Sequence, residues 1–208
     1  MAKTRKKNIE KIDVAKFTNL MKLHLQIAVE RYSYIQNEYD AFKNRPYDSN
    51  DDFVVEYTDF YALKASLRDF SNPDVKRIYF DLLKKQRKPV ESPEIIAKAF
   101  KHIVHMELGI WIGDHISFCS KIAHTVDTSI PIYDSRIKEY LGKVYNVPDN
   151  YNDIKKWYYS SDNNIKKDQS EIINWFKNSS FNQFCPDISD IKILDTVIFI
   201  WHKYYDGN

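Results

Sequence analysis

Apolar residues recur in steps of three and four along most of the chain. The first such series is Phe17, Leu20, Met21, His24, Ala28, Tyr32, Ile35, Tyr39 and Phe42. It marks one face of a helix, which stops before Arg45-Pro46 because the residue ahead of a proline disfavours helical backbone. An acidic loop follows, and the spacing then predicts a second helix from Tyr57 to Phe70. Ser71-Asn72-Pro73 reads as a turn and restart, with proline in the first helical turn, opening a third helix that runs to about Lys85. Ser92-Pro93-Glu94 repeats the signal ahead of Ile96, Ala99, Phe100 and Ile103. Beyond Gly109 and Gly113 a helix is predicted from about Ser117 to Val126. Asp134 is a good N-cap for a helix from Ser135 that carries Ile137, Tyr140, Leu141 and Val144 on one face, with Gly142 as its C′ residue. Two more helices read around 152–159 and 165–177. The last holds Ile191, Leu194, Val197, Ile198 and Trp201. The one strand-like run is Phe53-Val54-Val55. The expected fold class is all-α, either one helical domain over 1–208 or two packed subdomains of about 1–92 and 93–208.

Composition narrows the function classes. The chain is 43% hydrophobic and 29% charged over 208 residues, enough apolar material for a core of its own. Only four glycines occur, which disfavours phosphate-cradling glycine loops and dinucleotide-binding turns. Cys119 and Cys185 are the only cysteines, too few for a disulfide framework, a cysteine-rich zinc site or an iron–sulfur cluster. The basic start (Lys3, Arg5, Lys6, Lys7) is not followed by an apolar stretch, and the longest apolar run, near Val197 to Trp201, is far too short to span a bilayer. A cytoplasmic protein without a membrane partner is expected. His102 and His105 lie one turn apart, with Glu107 nearby and His115 further on, but no third ligand is defined. Neither a metal nor a cofactor is expected.

Net charge is only +2, yet it is unevenly spread. Residues 76–101 hold eight basic and three acidic side chains, whereas 48–60 hold five acids and no base. Two solvated patches would explain this. So would a phosphate-facing side built on Lys84, Lys85, Arg87 and Lys88, with the acidic stretch turned away.

The segment richest in chemistry is Ser117-Phe118-Cys119-Ser120-Lys121-Ile122-Ala123-His124, then Pro131-Ile132-Tyr133-Asp134-Ser135-Arg136-Ile137 and Leu141-Gly142. It resembles the catalytic region of the helix-hairpin-helix DNA glycosylase superfamily, which includes the endonuclease III-like and 8-oxoguanine glycosylases, and also a group of uncharacterised bacterial proteins with a glycosylase-like fold. In that family a hairpin leads into a helix whose first turn carries a lysine, and a loop then delivers an aspartate to the start of the next helix. The resemblance implies a helix-hairpin-helix glycosylase-like fold and DNA as partner. It makes Lys121 and Asp134 the catalytic pair, places Ser117, Ser120 and Arg136 at the DNA, and offers Trp111, Phe118 and Tyr133 as rings that stack on or replace an extruded base. Several positions depart from the pattern. Ser117 and Cys119 stand where the family has G-x-G, Ser135 where threonine is common, and Arg136 where histidine is common. The 121–134 span is also shorter than in many members.

The implied chemistry is coherent. A lysine near a helix start, partly buried, has its charged form disfavoured. As a neutral amine it can attack C1′ of a deoxynucleotide and form a Schiff base. A neighbouring aspartate stabilises positive charge developing on the sugar, or moves a proton, once the base has left the duplex. Simpler roles stand beside these: Asp134 as a helix cap alone, Lys121 as a surface lysine, Arg136 as a cover for apolar surface, His24 as a core histidine. Asp195, bordering the last helix's apolar face, is equally readable as a cap, an internal partner or a shaper of the cleft. Two rival functions remain open: a non-catalytic nucleic-acid binder on a glycosylase fold, and a helical interaction protein of a mobile-element or defence locus. The sequence does not specify an oligomeric state.

Overall fold

The computed structural model describes residues 9–63 and 71–205. Helix α1 (Asn19–Lys43) starts at Thr18, whose hydroxyl accepts from the Met21 N–H. Its buried stripe is Met21, Leu25, Val29, Tyr32, Ile35, Tyr39 and Phe42. The predicted series has the right period but is rotated in its first turns: Leu20 points outward, and His24 is half-buried, stacked on Tyr204 with ring centres 4.3 Å apart.

Helix α2 (Asp52–Phe60) corrects the acidic-loop reading. Asp51 caps it, its carboxylate accepting from the Phe53 N–H, and Phe53, Val54 and Tyr57 fall on one buried face. The run Phe53-Val54-Val55 is therefore helical. Of the predicted 57–70 helix, the part from 64 to 70 lies outside the described residues, as do the basic residues before position 9. Helices α3 (Pro73–Lys85) and α4 (Pro93–Leu108) begin as expected, with Asn72 and Ser92 as caps and proline in the first turn. Gly109 ends α4 in left-handed backbone, φ +68°, its N–H returned to the His105 carbonyl. A Cβ there meets no atom within 4 Å, so Gly109→Ala should cost about 1 kcal/mol from backbone conformation alone. A urea titration checks this, and an unchanged midpoint would mean that the turn relaxes.

Helices α5 (Ile116–Val126), α6 (Ser135–Tyr145), α7 (Tyr151–Tyr158), α8 (Asn163–Lys177) and α9 (Asp190–Tyr204) complete the chain, with short 3-10 turns at Val14–Lys16 and Ser180–Phe184. Among the described residues there are nine α-helices and no strand. Gly142 does not end α6. It lies inside the helix, and Asn146, at φ 53°, takes the left-handed position. Asparagine fills that role because its short polar side chain tolerates left-handed backbone.

The core forms two apolar clusters. The first gathers the C-terminal half of α1 (Ile35, Tyr39, Phe42) with α2 to α5. The second gathers the N-terminal half of α1 (Met21 to Tyr32) with α6 to α9. Residues on both sides of position 92 belong to the first cluster, so the apolar core does not divide there. Helix α1 passes through both, and Phe60 packs against both. Among the described residues no helix is long and apolar enough to cross a membrane.

Candidate active site

A cleft of about 470 Å³ opens where the two clusters meet, a size typical of small-ligand sites. Its rim includes the exposed Ser135 and Glu139; its floor includes the buried Lys121, Ile132, Lys192 and Asp195. Helix α5 supplies Lys121, the loop before α6 supplies Ile132 and Asp134, and α9 supplies Lys192, Asp195 and Phe199.

Lys121 and Asp134 thus line one cleft, but the lysine's setting differs from the expected one. Ser117 to Ser120 are already helical, and the turn before α5 spans 109–115. Lys121 therefore sits in the second turn of α5, only 2% exposed, its Nζ 5.3 Å from the centre of the Phe118 ring. Among the described residues no carboxylate lies within ion-pair distance of it. Burial lowers its pKa, and the negative charge of Asp134 partly opposes that shift. Asp134 caps α6 through Oδ1, which accepts from the Arg136 N–H at 2.9 Å.

A short hydrogen-bonded frame holds this loop. Ser120 Oγ donates to the Ser117 carbonyl at 2.9 Å and accepts from the Tyr133 N–H at 2.9 Å. The Ile132 N–H points to Asp195 Oδ2 at 3.4 Å. Beneath the loop, His124 Nδ1 lies 2.7 Å from the Ile130 carbonyl. A carbonyl only accepts, so Nδ1 carries the proton and Nε2 is left to accept from the Tyr32 hydroxyl at 3.4 Å. Burial pushes the His124 pKa down to about 3, which keeps the ring neutral.

Sequence reasoning missed Lys192 and left Asp195 undecided. Both are buried, 5% and 2% exposed, one turn apart on α9. Asp195 accepts from the Tyr158 hydroxyl as well as from Ile132. Burial raises its pKa to about 7, against the pull of Lys192 and its hydrogen bonds. Burial likewise lowers Lys192 to about 8; Asp195 and Asp134 oppose the shift, and the charge of Lys121 adds to it. No ion pair under 4 Å involves Lys192 among the described residues. Rings surround it instead: its Nζ lies 4.9 Å from the centre of Tyr32, 5.2 Å from Phe60 and 5.5 Å from Tyr61. The available signal was a lysine and an aspartate three apart in an otherwise apolar run, where every residue from 191 to 198 is buried. Charged side chains are almost never fully buried without a specific role or partner.

The other expected site residues are dispersed. Arg136 lines the cleft, its guanidinium 4.4 Å above the centre of the Phe199 ring. Ser117 and Ser120 are committed to the internal frame, and Ser120 is fully buried. Phe118 is a core ring, edge-on to Tyr79. Tyr133 is half-buried, bonded to Asp149 at 2.8 Å and outside the cleft. Trp111 is 73% exposed and stacks on His105 at 3.8 Å, away from the cleft lining. Among the described residues the rings that line the cleft are Phe60, Tyr61, Phe199 and the imidazole of His202. Lys84, Lys85, Arg87 and Lys88 lie outside it. Lys84 donates to the Arg45 carbonyl at 2.8 Å and Arg87 to the carbonyls of Lys84 and Gln86, whereas Lys85 and Lys88 are exposed.

A second, shallower depression lies between α1 and α2, where Arg31 is neutralised by Glu56 and Asp59. Among the described residues no three His, Cys, Asp or Glu side chains are placed to share a metal ion. No protein-family model, no curated protein and no solved structure matches this chain.

Proposed function

We propose that this chain is a DNA base-excision enzyme, a glycosylase or abasic-site lyase that works through a cleft amine and a carboxylate. The observation that carries the reading is the convergence of Lys121 and Asp134 in one cleft. Its volume suits an extruded nucleotide, and Phe60, Tyr61 and Phe199 offer ring faces to a base. Arg136, already over Phe199, supplies positive charge near the mouth. In the lyase step a neutral amine adds to the C1′ aldehyde of an abasic sugar, and the carbonyl oxygen leaves as water. The resulting iminium draws electrons from C2′, the C2′ proton departs, and the C3′–O bond breaks with its electron pair on the phosphate. Asp134 stands by to take or return a proton.

Borohydride reduction in the presence of a duplex with a single abasic site should trap a protein–DNA adduct, and an undamaged duplex should give none. Asp134→Asn should slow strand cleavage at the abasic site, where the C2′ proton is taken, by about tenfold to a thousandfold, in the range of a lost acid–base group, yet leave the melting temperature nearly unchanged because asparagine also caps helices. A purely structural cap would tolerate the change in both readouts. Base release from damaged duplexes, assayed in parallel, covers a glycosylase that uses water instead of an amine.

One feature favours the interaction-protein reading: Leu20, Leu23 and Ile27 form an exposed apolar stripe on α1. No adduct, no base release and no DNA affinity at low salt would leave that reading standing and remove the enzyme.

A further inference from the structure

We propose that Lys192, not Lys121, is the amine that forms the covalent imine with an aldehyde substrate, and that Lys121 is a positioning charge beside it. The inference rests on the amine chemistry proposed above and assigns it to an atom. Two geometric facts separate the two lysines. Lys192 stands among three aromatic rings, Tyr32 of α1, Phe60 at the end of α2 and Tyr61 beyond it, whereas among the described residues Lys121 Nζ has one ring, Phe118, beside it. Lys192 has a carboxyl group one helical turn ahead of it, Asp195, which Tyr158 and the Ile132 N–H hold in place. Lys192 and Asp195, like Lys121, are on the cleft floor, where an aldehyde would be shielded from bulk water.

The electrostatics fit the same division of labour. The groups that act on Lys192 come from every side: Tyr32 from α1, Tyr61 beyond α2, Lys121 and His124 from α5, Asp134 from the loop, Asp195 from its own helix. His124 is neutral and the two tyrosines stay protonated, so the charge balance is set by Lys121 against the two carboxyls. Burial and the Lys121 charge disfavour the resting ammonium, which is how an amine becomes nucleophilic near neutral pH. Ring faces then stabilise the cation that forms, because an iminium keeps the positive charge in the same cage. In the step itself the Lys192 lone pair forms the N–C bond. The carbonyl π pair moves to oxygen, which takes a proton from the Asp195 carboxyl. Asp195, now a carboxylate, accepts the proton shed by nitrogen and returns it to the hydroxyl, which departs as water. One amine and one aldehyde give one iminium and one water, with Asp195 ending deprotonated.

The test uses the full chain with two probes, propanal and the abasic duplex, each reduced with borohydride at pH 7 and followed by peptide mass mapping. The expected result is modification at Lys192 with both probes. It should fall about tenfold in Lys121→Met at pH 7 and recover about one pH unit higher, the shift that follows when a neighbouring positive charge is removed. A merely structural Lys121 would not move the pH profile. Modification at Lys121, or only at surface lysines, overturns the assignment, and so does an unshifted profile. If the DNA adduct maps to Lys121, the assignment fails while the base-excision reading stands. If propanal marks Lys192 and abasic DNA marks nothing, the nucleophile stands and the DNA reading fails. Because the mapping is done on the wild-type chain, it does not depend on whether a Lys192 variant folds.

Discussion

Lys121→Met should make the protein more stable and less active at once. The ammonium of Lys121 is carried into the interior with no carboxylate within ion-pair distance among the described residues, its Nζ 5.3 Å from the centre of the Phe118 ring. Desolvating a charge costs several kcal/mol unless a partner offsets it. Methionine, one atom shorter, keeps most of the apolar stem and removes the charge. The expected gain is about 1–4 kcal/mol, the range seen when buried ionic groups are replaced by apolar ones. It should appear as a higher urea midpoint with an unchanged slope. Trapping on abasic DNA at pH 7 should fall about tenfold or more in the same variant. A side chain kept for stability would show the opposite pairing, so a lower midpoint would mean that Lys121's charge is compensated in the native protein and would remove the case for a functional lysine.

Stability should stay nearly level with pH up to about 7 and climb above about pH 8. The folded pKa of Asp195 is raised from 3.8 to about 7. Between those values the native state holds a proton that the unfolded chain has released, so its contribution to stability falls as pH rises through that window. Lys192 is lowered from 10.5 to about 8. There the unfolded chain holds the extra proton, and stability climbs from about pH 8 to 10.5. Lys121 is shifted in the same direction as Lys192 and adds to the climb. The Asp195 fall, on the order of 4 kcal/mol from about three pKa units at roughly 1.4 kcal/mol each, is opposed across most of the same window by His124, whose pKa is lowered from 6.5 to about 3, so that there the unfolded chain holds the extra proton. Partnered carboxylates at the surface, among them Glu139, Asp149 and Asp153, have lowered pKa values, and their stabilisation is lost only at more acidic pH. Thermal unfolding from pH 4.5 to 9.5 should therefore stay nearly level up to about pH 7 and rise above pH 8, and Asp195→Asn should uncover the His124 rise below about pH 6.5. A maximum at pH 7–8 would show that the two buried groups form a compensated pair.

Helix positions were legible where a cap, a proline and a periodic face agreed, as at Asn72-Pro73, Ser92-Pro93 and Asp134-Ser135. Reading failed where tertiary contacts overrode local signals. The acids of 48–60 looked like loop because of their charge, yet Asp51 caps a helix whose other face is buried. Gly142 looked like a terminator, but a helix interior accepts glycine, and Asn146 carries the left-handed backbone instead. Lys121 and Asp134, which line one cleft, stand out in the sequence because their local pattern resembles a known one. Lys192 was invisible to that approach, since its partners Tyr32, Phe60, Tyr61, Lys121 and Asp134 are distant in sequence and meet only through the packing of α1 against α9. Phe118 and Ser120 were misjudged for a related reason: periodicity says which residues share a face, not which neighbouring helix will cover it.

The continuity of α1 has a mechanical consequence. One unbroken 25-residue helix contributes Tyr32 to one cluster and Ile35 to the other, so the two walls of the cleft are bolted to a common beam. Widening the cleft would require bending that beam within a single turn and breaking backbone hydrogen bonds there. On the proposed reading, a ligand enters a gap of nearly fixed width, because jaw-like closure of one cluster on the other would have to bend α1. Selectivity by size is built into the scaffold, and a glycine placed at Ser33 or Tyr34 would loosen the gauge without touching any side chain on the cleft floor.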